Sequence, residues 1–104
     1  MPWLALLAAA LLEIAWAIGL KYTHGFTRPW PSVWTLLAMT ASMILLAWAA
    51  RTLPIGTAYA VWTGIGAAGT AILGVYLFNE PLSLARIAGV SLIIGGVLVL
   101  RLAS

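Results

Sequence analysis

Four long stretches of this chain carry almost no polar residue, and short polar stretches separate them. The first runs from about Trp3 to Leu20 and holds a single charge, Glu13. The second, about Ser32 to Ala50, and the third, about Gly56 to Phe78, hold none. The fourth, about Leu84 to Leu102, has Arg86 near its start and Arg101 near its end, where long side chains reach back to the headgroups. A helix needs roughly 20 mostly apolar residues to cross the hydrocarbon core of a bilayer, and each stretch is about that long. Strands do not fit, because the apolar runs do not alternate and a four-stranded sheet would leave open edges in lipid. The pattern predicts an all-α membrane protein with transmembrane helices over residues 3–20, 32–50, 56–78 and 84–102, forming one transmembrane domain across 1–104.

The breaks have their own chemistry. Lys21 to Pro31 contains His24-Gly25, Arg28 and two prolines, and reads as a short loop. Arg51 to Gly56, with Pro54, reads as a tight turn. Asn79-Glu80-Pro81 is the third turn, with Pro81 suited to the run-in to a helix.

Composition agrees with the pattern. Hydrophobic residues make up 64% of the 104 and charged residues only 7%, against about 25% charged in soluble domains. Too few polar side chains exist to coat a water-facing surface. No cysteine is present, so disulfides and thiolate metal sites are excluded, and a single histidine makes no metal site by itself. The net charge of +3 comes from basic residues scattered at the ends of apolar runs, which is no nucleic-acid footprint. No cofactor motif is seen. The first stretch lacks a basic leader and is interrupted by Glu13, so it is expected to be a span, not a secretory signal.

Consecutive spans alternate in direction. One side of the bilayer therefore receives Arg51 and Arg101, and the other receives Lys21, Arg28 and Arg86. Orientation follows the Lys/Arg bias between sides, and two against three is nearly balanced. A chain with so weak a preference is expected to insert both ways and to pair with its inverted copy. Inverted pairs are a recurrent basis of alternating access. No convincing internal repeat offers that symmetry within the chain.

Glu13 dominates the chemistry. An ionisable group inside a span costs several kcal/mol and reads as functional by default. A proton or a cation would relieve the same cost, so Glu13 is the candidate shared site for both. The structural alternative is a protonated carboxyl in a helix–helix hydrogen bond. Trp16 lies three residues on, about 60° round the same face, with Ala9, Ala10 and Ala17 leaving room beside it. Ser42 is the mid-span polar residue of the second helix, although a serine there often bonds its own i−4 carbonyl. Tyr59 and Trp62 share a face of the third helix and are candidates to wall a cation with ring faces and a phenol hydroxyl. Gly64 and Gly66 are expected to let that helix bend, the alternative being close helix packing. Gly89, Ile93 and Gly96, with Leu100, form a smooth stripe on the fourth helix, read as a packing surface for a partner subunit.

These residues resemble the small multidrug resistance family over essentially the full chain. The likeness is carried by Lys21-Tyr22-Thr23-His24-Gly25-Phe26-Thr27-Arg28 and by Leu53-Pro54-Ile55-Gly56-Thr57-Ala58-Tyr59-Ala60-Val61-Trp62-Thr63-Gly64-Ile65-Gly66. Trp16, Ser42 and the run Trp62 to Gly66 are similar to the guanidinium-exporter branch, and Ala10 departs from the glycine often found there. The resemblance implies an antiparallel homodimer in a bacterial inner membrane with both Glu13 residues in one site. It also implies proton-coupled export of guanidinium and small guanidinyl cations such as guanylurea. The physics suits that cargo: a planar guanidinium presents paired N–H donors to a carboxylate. In that frame Ser42 orients the carboxylate, while Trp16 and Trp62 confine the flat cation.

The nearest competing reading is a polyspecific exporter of quaternary ammonium and other drug cations. A non-transporting membrane subunit is a second, and it would not need the Glu13 charge. An enzyme is disfavoured, because the chain offers no nucleophile–base pair, metal ligands or phosphate loop.

Overall fold

A computed structural model describes residues 2–103. It contains four α-helices: α1 (Pro2–Tyr22), α2 (Pro29–Ala49), α3 (Ile55–Phe78) and α4 (Leu84–Ala103). All four are long and apolar enough to cross a membrane. Leu4, Leu37, Ile44, Leu92 and Val99 point outward, the normal placement where the solvent is lipid.

The connections are shorter than the sequence suggests at one point. α2 begins at Pro29, three residues before the expected Ser32. Proline fits the first helical turn, where its missing N–H has no partner to lose. The preceding Arg28 is extended, as a residue before proline prefers. α1 meanwhile runs on to Tyr22. Loop 1 is thus only residues 23–28, and Thr23 organises it. Its hydroxyl donates to the Leu20 carbonyl at 2.8 Å and accepts the Phe26 amide at 3.2 Å. Its carbonyl accepts the amides of Thr27 and Arg28. His24, Gly25 and Phe26 all take positive φ to make the reversal.

Loop 2 spans 50–54 and loop 3 spans 79–83. Asn79 closes α3 in the left-handed conformation at φ 53°, and the Glu80 amide returns to the Gly74 carbonyl at 3.3 Å. That is the bonding of a helix C-terminal cap. Ser83 caps α4, accepting the Arg86 amide on its hydroxyl at 3.1 Å.

α1 packs against α2 and α3, whereas among the described residues the backbone of α4 approaches only that of α3, with Arg101 reaching the Trp3 ring of α1. The buried core joins Leu6, Ala9 and Ala10 of α1 to Leu46 and Ala49 of α2 and Ala58, Val61 and Trp62 of α3. Alanines at these contacts let the backbones approach closely, the usual device where lipid offers no hydrophobic drive. All these residues lie in the halves of their helices nearest loop 2. Between α1, α3 and the start of α4 the chain opens towards loops 1 and 3, while α1 and α2 stay in contact there at Gly19 and Thr35. The Cα trace fills a slab of 40 × 34 × 16 Å. A Cα thickness of 16 Å is about two helix layers, since the Cα atoms of one helix span only about 4.6 Å and neighbouring axes lie about 8–10 Å apart.

Candidate functional site

Glu13 sits where the core near loop 2 gives way to open space. Beyond it lies a groove of about 550 Å3 between α1, α3 and the start of α4. That volume falls within the roughly 300–1,000 Å3 of small-molecule sites. Ala17, Ala67, Ala71 and Phe78 give it an apolar lining, and Glu13 lies at its inner end.

The carboxyl group of Glu13 rests on the backbone of α3 at Gly66. A methyl group there would collide with the Glu13 Oε1, Cδ and Cγ atoms. Oε1 is buried and has no hydrogen-bond partner among the described residues. Such an atom is costly and stays available to a proton or a cationic donor. Thr70, one turn along α3, also lines the groove, its hydroxyl without a partner among the described residues.

Ser42 holds the three-helix junction. Its hydroxyl donates to the Ala9 carbonyl of α1 at 2.6 Å and accepts the indole N–H of Trp62 at 2.9 Å. The bond therefore goes neither to its own i−4 carbonyl nor to Glu13. Ala9 lies four residues before Glu13, so its carbonyl is the one a regular helix pairs with the Glu13 amide. Ser42 thus grips the turn that carries Glu13 without touching the carboxylate.

Trp62 is 5% exposed and belongs to the core. Tyr59 packs on it at 5.6 Å between ring centroids and is itself half exposed. Neither lines the groove in a single chain. Trp16 is half buried and its indole N–H lacks a partner among the described residues. Of the small residues near Glu13, Ala17 lines the groove, while Ala9 and Ala10 are buried in the core. The structure therefore links Tyr59, Trp62 and Ser42 into one chain of contacts, and places Glu13 beside that chain.

The glycines of α3 serve close approach, and the helix runs unbroken through both. Gly66 receives Glu13, and Gly64 receives Val97 and Ile93 of α4. The stripe on α4 is correspondingly divided. Ile93 faces α3 within the chain, while added methyl groups at Gly89 and Gly96 would meet nothing.

Sequence reasoning passed over Glu80 and Arg86 as site residues. Both line the outer end of the groove and form an ion pair at 2.6 Å. Lys21 stands nearby with its ammonium 5.5 Å from the Phe78 ring. A signal was present, since an acid and a base six residues apart flank a proline turn. Only the fold shows that they face Glu13's groove.

A carboxyl oxygen without a partner among the described residues, at the end of an apolar groove in four helices long and apolar enough to span a membrane, points to a multi-pass membrane protein. The model of the Small Multidrug Resistance protein family matches residues 1–93, and the chain belongs to that family. It is 62% identical to a guanidinium exporter of Yersinia pseudotuberculosis over 104 residues, covering all of both chains. It is 58% identical to guanidinium exporters of Citrobacter freundii and Salmonella typhimurium, covering all of this chain and 99% of theirs. The family and the names of these relatives point to a transporter rather than an enzyme.

Proposed function

We propose that this protein exports guanidinium and small guanidinyl cations in exchange for protons across a bacterial inner membrane. The observation that carries the proposal is the buried Glu13 oxygen on Gly66, without a partner among the described residues. The relatives named as guanidinium exporters support the choice of cation. A guanidinium would donate paired N–H groups to the ionised carboxylate, and a proton would neutralise the same group. One site cannot hold both, so occupation is exclusive. Only the occupied site crosses easily between inward and outward states, because ionised carboxylates with neither proton nor cation carry the largest desolvation cost in a low-dielectric interior. Exclusive occupation plus this restriction yields antiport. Each proton moving down one pH unit supplies about 1.4 kcal/mol, so two would support roughly a hundredfold cation gradient.

The working unit is proposed to be an antiparallel homodimer with two Glu13 residues in one site. The slab-like chain, open on the groove side, supports a second copy completing the walls. In that assembly Trp16 and Tyr59 supply ring surfaces, and Ser42 and Trp62 fix the helices that present Glu13.

Purified protein in liposomes tests the proposal. Wild type should exchange guanidinium for protons, and Glu13→Gln should not. Exchange that survives in Glu13→Gln would overturn the scheme. Competition with a short-chain quaternary ammonium ion tests the cargo. Such an ion has no N–H donors, and a clear preference for it would replace guanidinium with a lipophilic drug cation.

A further inference from the structure

The groove already holds one guanidinium group, that of Arg86. Its Nη2 donates to the Glu80 carboxylate at 2.6 Å and to the Ala71 carbonyl of α3 at 2.8 Å. Glu80, Ala71, Arg86 and Glu13 all line the same cavity. The two carboxylates are seated in the same way. An added methyl group at Gly74 would meet the Glu80 carboxylate and the Arg86 Nη2, just as one at Gly66 would meet Glu13. Gly66 and Gly74 are eight residues apart, about 12 Å along α3 at 1.5 Å per residue. Thr70 lies midway on the same face, its hydroxyl in the groove and without a partner among the described residues. α3 therefore presents glycine-seated carboxylates at both ends of one groove, with a polar step between them.

Arg86 is held in a way that permits exchange. A strong guanidinium–carboxylate pair uses two parallel N–H donors. Here one nitrogen makes both bonds, and Nε is buried without a partner among the described residues. The side chains of Arg86 and Glu80 are 26% and 39% exposed, so the pair is partly open to solvent and costs less to open than a fully buried one. The α4 cap at Ser83 holds the Arg86 backbone in place whether or not its side chain is engaged.

We propose that Glu80, with the Ala71 carbonyl, forms an outer guanidinium station at the mouth of the Glu13 groove. Arg86 is its resting occupant, and the travelling cation displaces Arg86 before passing inward. The proposal rests on guanidinium being the cargo. The competing account makes the pair a staple between α3 and α4 with no role in binding.

Guanidinium binding by calorimetry to purified protein separates the two, in a Glu13→Gln background that removes the inner site. Glu13→Gln/Arg86→Ala should bind one guanidinium per chain saturably. Adding Glu80→Gln should weaken that binding at least tenfold. Glu13→Gln/Arg86→Lys should bind little, because the lysine remains as occupant. On the otherwise native chain, Glu80→Gln should raise KM for guanidinium in liposome exchange severalfold and affect kcat less. A staple predicts a lower melting temperature with no Glu80-dependent binding and no KM change, and that result overturns the station. If the Arg86→Ala chain does not fold, the KM of Glu80→Gln decides alone. Failure of the central reading would appear separately, as wild-type exchange indifferent to Glu13→Gln.

Discussion

At the residue scale the site depends on contacts that tolerate no added atom. Gly66 is the sharpest case, because any side chain there would overlap the Glu13 carboxyl group. Gly66→Ala should keep its helical circular dichroism yet lower kcat/KM for guanidinium exchange at least tenfold, about 1.4 kcal/mol of transition-state stabilisation. Ser42 gives a different kind of test. Ser42→Ala leaves the buried Trp62 N–H without its acceptor. The expected loss of stability is about 1–2 kcal/mol, within the usual cost of an unpaired buried donor. Interhelical hydrogen bonds in membranes average about 0.6 kcal/mol, so a Ser42→Ala/Trp62→Phe cycle should show a coupling of about that size. Thermal unfolding in detergent measures both. Glu13 itself was legible in the sequence, because a charge within a span is conspicuous in any register. Its seat on Gly66 was not, because the contact depends on how α1 and α3 are rotated and shifted against each other.

At the scale of the element, length and hydropathy located all four helices, and two prolines moved only one boundary. What the helices do to each other was less readable. They are apolar on nearly every face, so periodicity does not say which stripe meets a neighbour and which meets lipid. The stripe read on α4 illustrates this. Ile93 packs towards Gly64, whereas the space over Gly89 and Gly96 is open. Among the described residues the backbone of α4 approaches only that of α3, and at its end Arg101 lies 4.6 Å from the Trp3 ring of α1. Gly64→Val should therefore push α4 away at Val97. A destabilisation of about 1–3 kcal/mol is expected for such overpacking, with α1 to α3 least affected. Hydrogen exchange should show amide protection falling first in α4.

At the scale of the whole molecule, the core lies near loop 2 and the groove opens towards loops 1 and 3. The molecule's two ends carry nearly equal positive charge: Arg51 and Arg101 at one, Lys21, Arg28 and Arg86 at the other. Orientation is sensitive to single Lys or Arg residues when the sides are this close. Arg28 and Arg51 are exposed on loops at opposite ends, and Thr52 is exposed beside Arg51. None of the three lines the groove. Arg28→Gln with Thr52→Lys reverses the bias to three against two, while Arg51→Gln strengthens the original bias to one against three. If the working unit pairs oppositely oriented chains, each variant alone should insert mainly one way and lose most guanidinium tolerance in cells. Expressing the two together should restore it, because each supplies the orientation the other lacks. Accessibility labelling of a cysteine placed in loop 2 would report the orientations directly. Full activity from a chain shown to insert in one direction only would instead place both halves of the site in parallel subunits, and the antiparallel arrangement would be abandoned.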